Sequence, residues 1–143
     1  MVVAYIRFQA SELPRTVGID APGGRRRSDG RAGHICHGPY LTLPPGRYAA
    51  GFYLRREPGE DEGDIEIEAA ADRGARVLGR RTLSVRELFS SLPGLVHVDF
   101  HVDAVERGCE MRLFVPARCA IEVSEAVLFR TDLAARQDTR QDI

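Results

Sequence analysis

Residues 37–56 constrain the fold of this chain more than any other segment. They read as a short strand, a Pro44-Pro45-Gly46 turn and a second strand. Proline presets φ and glycine tolerates a positive φ, so the chain reverses direction at this turn. Along the second strand the side chains alternate between two largely apolar faces, one with Tyr48, Ala50, Phe52 and Leu54 and the other with Ala49, Gly51 and Tyr53. Two apolar faces predict a strand in the centre of a sheet.

Period-two alternation, which is typical of a half-buried strand, recurs along the chain. It is sharpest over residues 95–102, where apolar positions alternate with His97, Asp99 and His101. The other predicted strands are residues 2–8, 34–43, 64–69, 75–83, 109–115 and 119–130, and the arginines of residues 75–83 favour a sheet edge. About eight strands, separated by glycine and proline turns and without βα alternation, predict an all-β antiparallel β-sandwich or jelly roll.

The segments between these strands lack the apolar residues that a core needs. Residues 18–33 are rich in glycine and arginine and residues 57–64 are acidic, so both are predicted as polar surface loops, the first of them mobile. One short helix is predicted over residues 84–91, because Ser-x-x-Glu is a helix-start signal and Pro93-Gly94 ends the segment. A length of 143 residues suits one domain, placed at residues 1–130, followed by a polar tail over 131–143 that is either frayed helix or disorder.

Charge and hydropathy narrow the class of protein. The formal net charge is −1 and all 20 basic residues are arginine, so no overall field favours nucleic acid as a partner. The apolar runs are too short for a membrane span, and the first residues lack the pattern of a secretion signal, which predicts a cytoplasmic location.

The cysteines are odd in number and lack CxxC spacing, so buried, reduced thiols are expected at Cys36, Cys109 and Cys119.

Catalytic signatures are missing from the sequence. It contains no G-x-S-x-G nucleophile elbow and no phosphate-binding loop of the GxGxxG or GxxxxGK type. A hydrolase or a nucleotide-binding protein is therefore disfavoured, and we predict a protein that is not an enzyme.

The polar face of residues 95–102 supplies the first candidate site. Burial parity predicts a hairpin with residues 109–115, in a register that sets Asp99 opposite Arg112 and His101 opposite Glu110. The resulting polar patch could bind sugar hydroxyls, because carboxylates accept hydrogen bonds and arginine donates them. A merely solvated face is the alternative. The residues assigned to this patch are His97, Asp99, His101, Glu110 and Arg112.

Tyrosines supply the second kind of candidate, a ring on which a sugar can stack. Tyr48 shares a strand face with Phe52, so it is expected to be buried in the core. Tyr40 and Tyr53 remain as the ligand-binding candidates.

Histidines suggest an alternative function, a metal-dependent enzyme of the cupin type that uses His97 and His101. In a second cluster, parity places His34 and Cys36 on one side of a strand and His37 on the other, which weakens a joint site unless the strand bends. The remaining cupin ligands, an HxH pair with a following Glu and a later His, are absent.

The two polar loops are candidate ion-binding sites. Arg25, Arg26, Arg27 and Arg31 could hold phosphate, sulfate or an acidic glycan through guanidinium contacts. Calcium could be held by Glu60, Asp61, Glu62 and Asp64, although EF-hand spacing is missing. Otherwise no cofactor is expected.

Four short motifs together resemble the galactose-binding-like, jelly-roll β-sandwiches of bacterial carbohydrate-binding modules. They are F-x-A-x-x-L at Phe8–Leu13, GPY at Gly38–Tyr40, the turn Leu43–Tyr48, and E-x-R at Glu110–Arg112. The resemblance implies a sandwich over residues 6–130 that binds carbohydrate or acts as an accessory module beside a glycosyltransferase or another glycan-processing partner. It also implies a calcium carboxylate near the last strand, for which Glu122 and Glu125 are the stand-ins. A purely structural protein-interaction module is a further alternative.

Overall fold

Eleven strands run through residues 5–132, the part of the chain that this computed structural model describes. In chain order they are β1 (Tyr5–Gln9), β2 (Ile19–Ala21), β3 (Arg25–Arg27), β4 (Gly33–Cys36), β5 (Leu41–Leu43), β6 (Gly46–Asp61), β7 (Asp64–Ala71), β8 (Arg76–Ser84), β9 (Gly94–Val102), β10 (Glu106–Val115) and β11 (Cys119–Arg130). Short 3₁₀ turns lie at Ala10–Glu12, Asp72–Gly74 and Val85–Glu87.

The strands form two antiparallel sheets. Sheet one has the order β2-β3-β11-β6-β9, and β1 also pairs with β11. Sheet two has the order β4-β10-β7-β8, and β5 also pairs with β10. The predicted all-β antiparallel sandwich is confirmed, with β6 in the interior of sheet one and β8 at the edge of sheet two, as their sequence patterns indicated.

The core lies between the two sheets, where one face of every long strand is apolar. Tyr48 and Phe52 are fully buried there, and the ring of Tyr48 stacks on Phe100 with centroids 5.4 Å apart. The other large buried side chains include Leu54, Ile65, Ile67, Leu113, Ile121 and Leu128. Burying a side chain of this size contributes roughly 1.5–3 kcal/mol, so period-two alternation of these residues specifies which faces meet.

Four sequence predictions about local structure are wrong. The chain has about three more strands than predicted, because residues 18–33 form the β2–β3 hairpin and the single strand predicted over residues 34–43 is divided into β4 and β5. The acidic segment is not wholly a loop, since β6 extends through it to Asp61. The helix predicted over residues 84–91 is a single 3₁₀ turn, Val85–Glu87. Val85 and Leu88 are both buried at a spacing of three, which one 3₁₀ turn already satisfies.

The ends of the chain are only partly described. Thr131 and Asp132 continue from β11 in a helical conformation, and the rest of the predicted tail, residues 133–143, lies outside the described residues, as do residues 1–4. No helix within residues 5–132 is long and apolar enough to cross a membrane. The boundary between a domain at 1–130 and a tail stays a prediction.

Candidate functional site

The outer face of sheet one presents a regular grid of side chains. Strands β1, β11, β6 and β9 lie side by side, and their registers align the outward residues in rows. The three central rows, read from β1 to β9, are Gln9, Glu125, Tyr53 and Leu95; Arg7, Val127, Gly51 and His97; and Tyr5, Phe129, Ala49 and Asp99.

The middle of this grid is recessed. Ala49 and Val127 point away from the core, yet each is only 1% exposed, and Gly51 between them is buried as well. The surrounding residues are taller, and Tyr5 at the rim is 58% exposed. These small residues are therefore covered, and the depressions of this face open beside them, towards its two ends. We call the face the sheet-one trough and define it by the twelve residues of the three rows.

Gly51 is also required by the approach of two strands. A Cβ at this position would lie 2.7 Å from the carbonyl oxygen of Val96 and 2.8 Å from the Cβ of His97. Only glycine therefore lets β6 and β9 come this close at the centre of the floor.

Aromatic and charged groups meet at one end of the trough. A depression there is lined by Tyr5, Arg7, Tyr53, Pro93, Ser124 and Glu125. The Nε atom of Arg7 lies 3.6 Å from Oε2 of Glu125, and the hydroxyl of Ser124 donates to the carbonyl oxygen of Tyr53 at 3.2 Å. Ring faces beside hydrogen-bond donors and acceptors suit a ligand with both apolar and hydroxylated surfaces.

The opposite side of the trough is formed by β9. His97 and Asp99 point outward as predicted, with Nδ1 of His97 3.2 Å from Oδ1 of Asp99. His101 lies one step further along β9, opposite Arg47, and its Nδ1 atom is 3.3 Å from Oδ1 of Asp103. Four of the predicted site residues, Tyr53, His97, Asp99 and His101, therefore share one face of sheet one.

The predicted hairpin between residues 95–102 and 109–115 is wrong. β9 pairs with β6 in sheet one, whereas β10 pairs with β7, β4 and β5 in sheet two. Arg112 lies opposite Glu68, and Glu110 lies opposite Ala70, so neither residue meets Asp99 or His101. Within each strand, the predicted inward and outward residues are correct. Strands β9 and β10 lie in different sheets, however, so both point their apolar faces into the core and they do not pair with each other.

Glu110 and Arg112 instead lie together on the outer face of sheet two, and Tyr40 lies in a loop beside β10. The loop that contains Gly38 and Tyr40 runs beside β10, and the backbone N–H of Met111 donates to the carbonyl oxygen of Gly38 at 3.1 Å. Tyr40 is 52% exposed, with the guanidinium carbon of Arg73 5.2 Å from its ring centre.

The arginine-rich segment is an ordered hairpin, and the prediction of a mobile loop is wrong there. Arg26 points inward, is 2% exposed, and donates to Asp20 at 2.7 Å and to the carbonyl oxygen of Ile35 at 2.9 Å. Its neighbours Arg25 and Arg27 point outward onto Glu122, with Nε of Arg27 3.0 Å from Oε2 of that carboxylate. These arginines already have protein partners.

Glu122 does not act as the predicted calcium stand-in. It is 2% exposed and lies among Arg25, Arg27 and Arg55. Burial alone would raise the pKa of Glu122, but hydrogen bonds and charges from Arg27 and Arg55 outweigh burial and lower it. The positive charges of these guanidinium groups repel a divalent cation from this carboxylate.

The candidate metal ligands do not form a metal site. The predicted parity of the histidine cluster is wrong, because an irregularity in the β4–β10 pair sets His34 opposite Phe114 and Cys36 opposite Leu113, on the other face. The rings of His34 and His37 lie 6.4 Å apart, and Cys36 is buried. In the acidic segment, Asp61 faces Arg56 and Arg86, each at 3.6 Å. Across residues 5–132, no three His, Cys, Asp or Glu side chains are grouped in a way that could hold a metal ion.

Comparisons with known proteins bear on the fold. No protein-family model matches this chain, and no curated protein matches it. Among solved structures, the C-terminal family 6 carbohydrate-binding module of the laminarinase LamC from Zobellia galactanivorans is 10% identical, with a TM-score of 0.63 over 88% of this chain and 99% of that chain. The chain has the fold of a carbohydrate-binding module.

Two further modules have the same fold. A carbohydrate-binding module of lichenase 5A from Cellvibrio mixtus, in complex with cellotriose, is 13% identical, with a TM-score of 0.54 over 92% of this chain and 99% of that chain. The module CsCBM6-3 from Clostridium stercorarium, in complex with cellobiose, is 11% identical, with a TM-score of 0.51 over 88% of this chain and 94% of that chain. The resemblance carried by the GPY motif is thus confirmed as a likeness of fold.

Sequence reasoning missed part of the trough. Tyr5, Arg7, Glu125 and Phe129 belong to it, and alternation in the first and last strands does mark them as outward. The missing information was which strands are neighbours, because β1 and β11 come from opposite ends of the chain and meet only in the folded sheet.

Proposed function

We propose that this protein is a non-catalytic carbohydrate-binding module and that the sheet-one trough is its ligand site. The observation that carries the proposal is the buried floor of Ala49, Gly51 and Val127 between aromatic rings and polar side chains. The fold shared with carbohydrate-binding modules supports the same function. A glycan-processing partner protein and a cytoplasmic location are further predictions of this proposal.

The chemistry of the trough suits a neutral sugar. The apolar face of a pyranose ring packs on Tyr53 or Tyr5, while its hydroxyls donate to Glu125 and Asp99 and accept from Arg7. Four strands at a spacing of about 4.8 Å give a trough about 14 Å across, which accommodates an oligosaccharide. Both charge signs occur along the trough, so an anionic or a cationic polymer gains little there.

Binding to a glycan array, followed by calorimetric titration with the best oligosaccharide, tests this function. Tyr53→Ala removes a ring and should raise the Kd about tenfold, whereas Tyr53→Phe keeps the ring and should retain binding. Asp99→Ala should also weaken binding. Its matched control is Asp103→Ala, which removes an acidic side chain that is 89% exposed on the same segment but outside the trough.

Two results would contradict the proposal. One is the absence of binding to every glycan on the array by a folded protein. The other is an affinity that is unchanged in the double variant Tyr53→Ala with Asp99→Ala, which would exclude the sheet-one trough as the ligand site.

A further inference from the structure

The face that carries the sheet-one trough has a second depression, at the end away from Tyr53. Its volume is about 390 Å³, and it is lined by Arg47, Asp99, His101 and Thr131 together with the core residues Tyr48 and Phe100. We infer that this depression is a second sugar subsite, and that the ligand is a linear, neutral glycan of at least about four units that runs along β6 between the two depressions. The inference rests on the proposed function and adds to it the length and direction of the ligand.

The two depressions lie far apart on one strand. Tyr53 lines the first, whose volume is about 240 Å³, and Arg47 lines the second. These two residues are six positions apart on β6, which corresponds to about 20 Å at roughly 3.3 Å per residue. A pyranose ring is about 5 Å long, close to the spacing between neighbouring strands. About four linked rings therefore cover the distance, and a disaccharide does not.

The side chains of the second depression are open to a ligand. Arg47 is exposed and lies opposite His101, one step beyond the pair formed by Ala49 and Asp99. The side chain of Asp99 is 74% exposed and that of His101 is 60% exposed. A sugar can therefore reach these groups without any rearrangement of the sheet.

The two depressions offer the same hydrogen-bonding chemistry. In the first, Arg7 lies 3.6 Å from Glu125, and the second contains Arg47 and Asp99. A guanidinium only donates hydrogen bonds and a carboxylate only accepts them, whereas a hydroxyl does both. Neighbouring hydroxyls of a sugar ring therefore find a donor and an acceptor at either end. Because both charge signs are present at each end, the pair favours an uncharged chain over an ionic one.

The centre of the face contributes less to binding. Ala49, Gly51 and Val127 are buried there, so the units between the two ends have few contacts with the floor. Most of the affinity should then come from the two depressions. When one ligand reaches both, its second contact forms within the complex and needs no further association step. Affinity should therefore rise sharply at the length that spans the two depressions.

Calorimetric titration with oligosaccharides of increasing length tests this arrangement on the intact chain. The probes are cello-, laminari- and xylo-oligosaccharides of two to six units. For a series that binds, we expect the Kd to fall at least tenfold between two and five units and to change little from five to six. Equal Kd values for two and six units would overturn the inference.

Amide resonances of isotopically labelled protein give the direction of the ligand. A two-unit ligand should shift the amides of Tyr53 and Ser124 and leave those of Arg47 and His101 unchanged. A six-unit ligand should shift all four. If the six-unit ligand leaves Arg47 and His101 unshifted, the ligand does not run along β6, and the inference is overturned.

A variant separates the two subsites. Arg47→Ala should raise the Kd of the six-unit ligand at least fivefold and leave that of the two-unit ligand unchanged, whereas Tyr53→Ala should weaken both. The matched control is Arg107→Ala, which removes an exposed arginine from β10 in sheet two and should bind both ligands as the wild type does. An unchanged Kd of the six-unit ligand in Arg47→Ala would contradict a subsite at this position.

Failure of this inference differs from failure of the proposed function. Absence of binding to every series and to the glycan array would overturn both. Binding that depends on Tyr53 but on neither ligand length nor Arg47 would overturn only the second subsite. The amide shifts are measured on the wild-type chain, so they decide the question even if Arg47→Ala does not fold.

Discussion

The Nη2 atom of Arg112 lies 2.7 Å from Oε1 of Glu68, directly across the β10–β7 pair. Arg80 approaches the other oxygen of Glu68 from β8 at 2.6 Å, so one carboxylate joins three strands of sheet two. Burial alone would raise the pKa of Glu68, but the hydrogen bonds and charges of Arg80 and Arg112 outweigh burial and lower it. The ionised form of Glu68 therefore stabilises the sheet.

Removing Glu68 should destabilise the fold. Glu68→Ala leaves the largely buried guanidinium of Arg112 without its shortest partner, and we expect the free energy of unfolding to fall by about 2 kcal/mol. Chemical denaturation measures the change. Glu66→Ala is the matched control, because Glu66 is 35% exposed and reaches Arg80 only at 3.4 Å, so its loss should cost at most about 0.5 kcal/mol. Equal effects of the two variants would refute this role.

Arg26 is expected to anchor the β2–β3 hairpin. Arg26→Met keeps most of the volume but leaves the carbonyl oxygen of Ile35 without this donor and Asp20 without its ion pair, so the stability should fall by about 1–3 kcal/mol. Urea denaturation tests it. Arg86→Ala, which removes an arginine whose side chain is 70% exposed, should change stability by no more than about 0.5 kcal/mol.

The sequence predicted which residues of each strand point into the core, but it did not predict which strands pair with each other. Alternation placed Tyr48, Phe52 and Phe100 in the core and Asp99 outside it, because period two is a local property of an extended strand. Strand pairing is non-local, and the same parity is compatible with several partners. The sequence therefore sets Asp99 opposite Arg112, whereas in the structure Arg112 pairs with Glu68.

The arginine-rich segment shows a second feature that composition does not predict, namely that a polar segment can be an ordered strand. Residues 25–27 are consecutive arginines, which favours a solvated loop, yet their alternation as β3 sends Arg26 inward and its two neighbours to Glu122. What orders them is a buried carboxylate about a hundred residues away in the sequence. That contact leaves no trace in the local pattern of residues 18–33.

Stability should depend on pH through Glu122. Its pKa in the folded protein is lowered from the ordinary 4.5, so the stabilisation that its ionised form gives is present above about pH 4.5 and is lost as the pH falls through the lower folded value. Glu122→Gln should therefore be less stable than the wild type at pH 7, and the difference should shrink towards pH 3. Glu62→Gln, at an exposed turn, should follow the wild-type curve. A difference for Glu122→Gln that grows in acid would contradict this sign.

The three cysteines should resist modification in the folded protein. Cys36, Cys109 and Cys119 are free and buried, and burial raises the pKa of Cys36 to about 12 and that of Cys109 to about 11. A thiol reagent such as Ellman's reagent should react only after denaturation, with all 3 cysteines. Val105→Cys places a thiol where the side chain is 58% exposed and should react at once. Prompt reaction of the native wild-type chain would show that the core is open.

Tyr48 ties the Pro44-Pro45-Gly46 turn to the centre of sheet one. Its hydroxyl donates to the carbonyl oxygen of Pro44 at 2.6 Å, while the ring is fully buried against Phe100. Tyr48→Phe keeps the ring and removes only this hydrogen bond, so thermal or urea unfolding should show a loss of about 1 kcal/mol. Tyr48→Ala removes the ring as well and should cost about 3–5 kcal/mol.

The same strand provides the control for this prediction. Tyr53→Phe makes the identical chemical change on the outward face of β6 and should alter stability by at most about 0.5 kcal/mol. If Tyr48→Phe and Tyr53→Phe had the same stability, the hydroxyl of Tyr48 would contribute nothing. The turn would then be held by its proline and glycine residues and by ring packing alone, and Tyr48→Ala would measure that packing directly.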